Sequence, residues 1–334
     1  MDSIIFNLNN RTELFNNVIS ECINNNIEII SGELVTKSFS DGEVSAFFKS
    51  SVRGKRVYIL TTPNTSDKVM QLMLILDAAK RAAAKEIIPI ITYMPYARTD
   101  KKDQVRGPIG AKVFAEMLEN RGATQIITFD LHADQIQGFF NIPVTHMEGK
   151  YLFDRYLYEC YEEYGDNLVL CAPDAGAAKR VKYFRDQLKS RWEIDLPIVM
   201  IDKTRPKANE VGKMILIGDV DGKDVVIIDD MCDTGGTLVK GCDTLLEKGA
   251  QTVRAVVTHG VLSGPALERI YNSKLDDFVC SDSLSIESRS FFLEQGVYPK
   301  SDNFITVITT AKQIVKAIIA INNDISVETL KNIH

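Results

Sequence analysis

VVIIDDMCDTGGTL, running from Val225 to Leu238, changes character twice within a few residues. Val225 to Ile228 is a continuous apolar run that ends in two acids, as expected of a strand buried on both faces whose carboxyl end opens into a crevice. Thr234, Gly235, Gly236 and Thr237 then lead into an apolar helical stretch beginning near Leu238. Backbone amides and a helix N-terminus therefore surround one point, and such a point attracts phosphate. The glycines let the backbone approach an anion closely, and the threonine hydroxyls add donors with little bulk. Asp229 and Asp230 repel an anion at contact range, so they face something else: sugar hydroxyls, or a magnesium ion bound through oxygen. The bland reading of the same letters is a strand, a Gly-Gly turn and exposed acids.

Outward from this stretch, short Val- and Ile-rich runs alternate with segments of helical period, the pattern of a mainly parallel sheet flanked by helices. IIFNL, IEIISG, VSAFF, RVYILTT, EIIPIITYM and QIITFDL are the strands expected in the first half. Val69, Leu72, Met73, Leu76 and Ala79 mark a helix within residues 66–84. In the second half LVLCAPD, IVMID, MILIGDV, DVVIIDD, TVRAVVTH, FVCSD and FITVIT play the same part, with helices at 238–249 and 311–321. Two similar α/β domains are expected, 1–150 and 151–334, joined near the polar, aromatic stretch 147–164. Residues 283–303 are the least patterned.

The chain's 334 residues and 45% hydrophobic content suffice for two cores, and a net charge of −6 argues against coating a nucleic acid. Six scattered cysteines with no CxxC pair read as reduced thiols. No run approaches the ~18 apolar residues of a membrane span, and the N-terminus lacks a leader pattern, so a cytoplasmic protein is expected. Neither GxxxxGK[ST] nor GxGxxG occurs, so the phosphate loop is not of the Walker or dinucleotide kind.

Four other segments carry chemistry-bearing residues. PYARTDKKDQVRGPIGAKVFAEML follows an expected strand, with Pro108 at a first helical position and Ile109, Val113 and Met117 on one face. Its Arg98, Lys101, Lys102 and Arg106 can meet a triphosphate, although an anonymous charge cluster is more often a solvated loop. His132 in FDLHADQIQGFF sits at the carboxyl end of a strand, where one histidine is usually only a hydrogen-bonded structural residue. Asp174 in LCAPDAGAAKR repeats the strand-then-acid logic, against the plainer reading of a helix N-cap. Lys203 and Arg205 follow a strand in IVMIDKTRPKANEV, where Pro206 discourages regular helix and the cations suit a mobile flap.

DDMCDTGGTL resembles the phosphoribosyl diphosphate binding motif shared by type I phosphoribosyltransferases and ribose-phosphate diphosphokinases. The other segments are similar to the diphosphokinase family alone, in the same order along the chain from about Lys37 to Thr309. That resemblance implies two duplicated type I phosphoribosyltransferase-like domains, with ATP and ribose 5-phosphate as substrates and magnesium as cofactor. It implies ribose 5-phosphate binding by Asp229, Asp230, Asp233, Thr234, Gly235, Gly236 and Thr237. It carries ATP binding to Arg98 and Asp103, and also to Phe39, Asp41 and Glu43 of KSFSDGE, a loop that in the family reaches a neighbouring subunit's ATP site. Read alone, Phe39 is a local packing anchor. His132 and Asp174 become metal ligands by the same likeness, and Lys203 and Arg205 stabilise the transferring diphosphate. The implied assembly is a homo-oligomer built from dimers, often a hexamer, with neither nucleic acid nor membrane as partner.

Three departures touch the sugar and nucleotide sites. Thr99 stands where the family commonly has glutamine, PDAGA (173–177) replaces PDxGG, and 283–303 is longer than its usual counterpart. They leave open a larger acceptor, such as ADP-ribose. Two further readings are a non-catalytic subunit and a phosphoribosyltransferase. The retained His132, Lys203 and Arg205 oppose the non-catalytic subunit, and the ATP-like segment opposes the phosphoribosyltransferase.

Overall fold

The alternation of apolar runs and amphipathic stretches becomes two helix-covered sheets in the computed structural model, which describes residues 2–203, 214–285 and 304–331. In the first, β1 (Ser3–Asn7) and β2 (Ile30–Ser31) pair in parallel. The chain then leaves the sheet for an antiparallel hairpin, β3 (Leu34–Ser38) and β4 (Val44–Phe48). It returns with β5 (Arg56–Thr61), β6 (Glu86–Ile91), β7 (Ile126–Phe129) and β8 (Val144–Met147), giving the all-parallel order β2-β1-β5-β6-β7-β8. VSAFF is thus not part of the main sheet, and its partner LVTKS lacks the apolar density that marks the others.

The second sheet contains β9 (Leu168–Ala172), β10 (Ile198–Lys203), β11 (Met214–Ile217), β12 (Asp224–Cys232), β13 (Thr252–Gly260), β14 (Asp277–Ser281) and β15 (Ile305–Ile308). Their order is β11-β10-β9-β12-β13-β14-β15, and only β11 runs antiparallel. Strand residues alternate between two cores, as a pleated strand buried on both faces requires. Val225 and Ile227 join one cluster, Val226 and Ile228 the other. The helices among the described residues are α1 (Thr12–Asn24), α2 (Ser66–Arg81), α3 (Gly110–Asn120), α4 (Lys150–Tyr164), α5 (Ala178–Trp192), α6 (Gly236–Glu247), α7 (Ala266–Tyr271), α8 (Ala311–Asn322) and the short α9 (Glu328–Lys331). Among the described residues no helix is long and apolar enough to cross a membrane. The six cysteines are buried and none forms a disulfide.

Two compact units result, Met1–Glu148 with Thr309–His334, and Gly149–Ile308. The boundary expected from sequence lies at 150/151 and leaves everything after it in the second half. The structure instead groups the last segment with the first unit. The element order repeats in the two halves, and each ends in a helix. Yet α4, which follows the last strand of the first half, packs on α5, and α8, which follows β15, packs on α1. Ile314, Val315 and Ile318 of α8 lie in one core with Ile5, Tyr58 and Ile88, each contributing roughly 1.5–3 kcal/mol of burial. The end of α8 is pinned as well. Arg56 Nη1 donates to the Ile321 carbonyl at 2.8 Å, satisfying a last-turn carbonyl with a cation, while the Tyr58 hydroxyl donates to Asn322 Oδ1 at 2.9 Å.

The buried face of α3 also differs from the expected one. The helix starts at Gly110, with Ile109 rather than a residue before Pro108 as its N-cap. Ala111, Phe114, Ala115 and Leu118 form the core stripe, leaving Val113 50% and Met117 36% exposed. Thr99 explains the start: it lies against Gly110, where a Cβ would come within 2.4 Å of Thr99 Oγ1, and its carbonyl accepts from Ala111 N–H at 3.3 Å.

Candidate functional site

In an open parallel sheet, ligands gather where the strand order reverses, beyond the carboxyl ends of the strands on either side. In the second sheet the chain moves one way through β9, β10 and β11 and the other way from β12 to β15, so the reversal lies between β9 and β12. β12 leads directly into residues 233–237, and β9 leads into Pro173 and Asp174.

Gly235 is the N-cap of α6 with φ +72°, a conformation that costs glycine little and other residues more. The helix begins at Gly236, two residues earlier than expected, so the amides of Gly236 and Thr237 belong to its first turn. No side chain caps that end, and the early N–H groups of a helix have no partner within it, so they can serve an anion. Arg269 of α7 braces the loop by donating from Nη1 to the Thr234 carbonyl. Its guanidinium lies close enough that a Cβ on Gly236 would meet Nη1 at 3.4 Å. Ser263 N–H donates to the Asp233 carbonyl at 2.8 Å, tying the loop to the segment after β13.

Asp230 is buried and Asp229 partly so. Asp230 N–H donates to Asp229 Oδ1 at 2.9 Å. Burial, reinforced by the adjacent Asp230 charge, pushes the Asp229 carboxyl well above the usual carboxylate range, and Arg180 pulls it partly back. Arg180 of α5 places Nη1 at 3.8 Å from Asp229 Oδ1 and 3.7 Å from Asp230 Oδ1. One cation thus serves two carboxylates, and the remaining negative charge suits hydroxyl donors or a hard divalent cation.

Asp174 is exposed, and its Oδ1 accepts from Ala177 N–H at 2.9 Å. The contact closes a turn just before α5, whose N-cap is Ala177 and not Asp174, and it engages one of the two carboxylate oxygens. Ala177, the departure from the family's glycine, has φ −79°, which alanine adopts without strain. It belongs to the α4–α5 core with Phe153 and Val181. Lys203 is the last residue of β10, paired with Met214. It lies three residues past Met200, the partner of Ala172 in β9, and therefore at the same carboxyl edge as Asp174 and Asp229. β10 and β12 are separated by one strand, about 10 Å between their axes. Arg205 falls outside the described residues.

In the first unit, Arg98 and Asp103 are exposed on the loop after β6, and His132 is exposed just after the neighbouring strand β7, so these residues share one sheet edge. Thr99 is turned back on its own loop, its Oγ1 donating to the Tyr96 carbonyl at 2.8 Å. Phe39 is 51% exposed near the tip of the β3–β4 hairpin, which excludes the packing-anchor reading. Asp41 shapes that tip by accepting from Glu43 N–H at 3.0 Å, and Glu43 in turn offers its carbonyl to Phe39 N–H at 2.8 Å. Asp130, which sequence reasoning did not single out, is buried one residue before Leu131 with φ +31°. Such strain in a non-glycine residue at a strand end marks a position worth functional attention. Arg180 and Arg269 were missed as well.

The described residues contain no group of three or more His, Cys, Asp and Glu side chains gathered to hold a metal ion. The oxygen donors of Asp229, Asp230 and Asp174 nevertheless fit magnesium, which typically takes one or two carboxylates and completes its shell with water and substrate phosphates.

A family model described as the N-terminal domain of ribose phosphate pyrophosphokinase matches residues 3–122, and one described as a phosphoribosyl transferase domain matches 144–288. The chain is 39% identical to a ribose-phosphate pyrophosphokinase of Oceanobacillus iheyensis, covering 98% of this chain and 96% of that one. It is 42% identical to ribose-phosphate pyrophosphokinase 4 of Saccharomyces cerevisiae, over 80% of this chain and 81% of that one. Among solved structures it is similar to a phosphoribosylpyrophosphate synthetase from Mycobacterium smegmatis, with a TM-score of 0.84, 32% identity, and coverage of 97% of this chain and all of that one.

Proposed function

The chain belongs to the ribose-phosphate pyrophosphokinase family, and from that premise we propose that it transfers the β,γ-diphosphate of ATP to the 1-hydroxyl of ribose 5-phosphate, giving 5-phosphoribosyl 1-diphosphate and AMP. The observation that carries this reading is the β9/β12 reversal, where β12, which bears a pair of aspartates near its carboxyl end, leads through a short loop into an uncapped helix N-terminus. The 5′-phosphate is assigned to the amides and hydroxyls of 234–237, with Asp233 in the same loop. The ribose hydroxyls are assigned to Asp229 and Asp230, held by Arg180.

The sugar 1-oxygen attacks the β-phosphorus, the bond from that phosphorus to the α-β bridging oxygen breaks, AMP leaves with that oxygen, and the proton of the 1-hydroxyl is released to solvent. Such transfers are catalysed mainly by positioning and charge neutralisation. Lys203, with Arg205, neutralises the transferring diphosphate. Arg98 and Asp103 hold ATP, and Phe39 offers a ring face for adenine with Asp41 and Glu43 beside it. The exposure of Phe39 supports its service to a neighbouring subunit, and hence a homo-oligomer. His132 and Asp174 would each serve as a magnesium ligand, and magnesium would supply charge neutralisation on the phosphates when bound.

The buried methyl group of Ala177 favours ribose 5-phosphate over a larger ester, because the change from glycine faces the core and enlarges no sugar site. The direct test measures AMP release from ATP and magnesium with ribose 5-phosphate or with ADP-ribose. Release dependent on ribose 5-phosphate supports the reading, while release dependent on ADP-ribose alone moves the acceptor to the larger ester. Arg269→Ala is expected to raise KM for ribose 5-phosphate about tenfold, the worth of a hydrogen bond of ~1.4 kcal/mol, with kcat changed by less than about twofold. Initial rates over a ribose 5-phosphate series check this, and an unchanged KM removes Arg269 from the loop's support.

A further inference from the structure

His132 hangs from a segment whose backbone is held in an unusual way. β7 and β8 run in parallel with Phe129 paired to Met147, and Asp130 N–H still finds the Met147 carbonyl at 2.9 Å. Asp130 then turns through φ +31°, carrying the chain away from the ladder. The next amide, that of Leu131, belongs to a residue only 2% exposed, and a buried N–H without an acceptor is costly. Its acceptor is a side chain: His146 of β8 takes the Leu131 N–H on Nε2 at 2.9 Å. At the other end of the ring, Nδ1 lies 3.4 Å from the side-chain amide of Gln137, and that amide is 3.2 Å from the Asp134 carbonyl. His146 therefore touches both ends of residues 131–137 and accepts from the first amide after the turn at Asp130.

We propose that His146 is a positioning residue that fixes the backbone of Leu131, and through it the direction in which His132 presents its imidazole to the metal. The inference rests on the reading of His132 as a magnesium ligand. Groups that orient a metal ligand without touching the metal commonly carry a 10- to 100-fold effect on metal affinity. The geometry also fixes which replacements succeed. Glutamine carries its amide about as far from the backbone as Nε2 and can accept the Leu131 N–H, whereas asparagine stops near the Nδ1 position and leucine offers no acceptor.

The test compares His146→Gln, His146→Asn, His146→Leu and His132→Ala. Amide exchange at Leu131 is read in metal-free protein, and the magnesium concentration for half-maximal AMP formation is read alongside the thermal midpoint. In H146N and H146L, exchange at Leu131 should quicken about tenfold or more and the magnesium requirement should rise about tenfold, while H146Q keeps both near the parent values. H146N is polar and of similar bulk, so it carries the test if H146L fails to fold. Parent-like exchange and magnesium requirement in H146N, or failure of H146Q to restore them, overturns the positioning role. The two readings fail separately. An unchanged magnesium requirement in H132A removes His132 as a ligand, whereas a raised requirement in H132A beside an unchanged one in H146N removes only His146.

Discussion

Lys203→Ala lowers the rate of AMP formation at saturating substrates by about a hundredfold or more, the loss of ~3 kcal/mol that follows removal of one donor from a developing charge. The effect is expected on turnover rather than on folding. Lys203 contributes to β10 through its backbone pairing with Met214, while the strand's anchorage in the cores comes from Val199 and Ile201 behind it. The sheet order brings Lys203 to the carboxyl edge that carries Asp174 and Asp229, one intervening strand away from the aspartate pair. A single-turnover assay at saturating ATP, ribose 5-phosphate and magnesium reads the chemical step, and the thermal midpoint should match the parent. Near-normal turnover would remove Lys203 from the transferring phosphates.

Asp229→Asn should separate function from stability in the opposite sense. Two carboxylates with one shared arginine are a strained arrangement in the absence of ligand, and the raised Asp229 carboxyl records it. Its folded pKa lies above its unfolded value, so the stability it contributes is present below the unfolded pKa and is lost as pH rises through the folded pKa. Asparagine escapes that loss, and its Oδ1 can still accept the Asp230 N–H. In EDTA at neutral to mildly alkaline pH, D229N should therefore melt higher than the parent. The gain is roughly 2–4 °C, as ~1 kcal/mol gives in a domain of ~150–250 residues. The difference should shrink as pH falls into the ordinary carboxylate range, where the parent's pair takes up a proton. Activity should drop by at least about tenfold, since a charged acceptor to the sugar or the metal is lost. Melting curves across pH with parallel AMP assays check both halves. A variant that melts lower at every pH would show that Asp229 is structural rather than a functional liability.

Much of this site was legible in the letters, for physical reasons. VVIIDD declares itself because a strand buried on both faces needs unbroken apolar residues, and acids beside that core need charged or polar partners. The glycines of 235–236 are legible because a left-handed N-cap favours them. Arg180 and Arg269 were not. They come from helices far along the chain and meet the aspartates and the loop only after folding. His146 lies in β8, a strand the letters did not mark, and nothing singled it out until its ring met the Leu131 amide. α8 could be recognised as amphipathic, but its pattern does not say which sheet it covers, and the structure gives it to the first unit. In α3 two overlapping stripes competed, and Phe114 and Leu118 took the core from Val113 and Met117. Phe39 went the other way: the hairpin leaves it half exposed, where the letters alone read as a local packing anchor.

At the centre stands the claim that the chain makes an activated sugar by moving two phosphates together. Phosphorus NMR of the mixture of ATP, ribose 5-phosphate, magnesium and the parent protein reads this directly. AMP should appear in step with a sugar-linked diphosphate that retains its 5-phosphate resonance. ADP with a sugar bisphosphate in place of these products would mean transfer of the γ-phosphate alone and would contradict the claim.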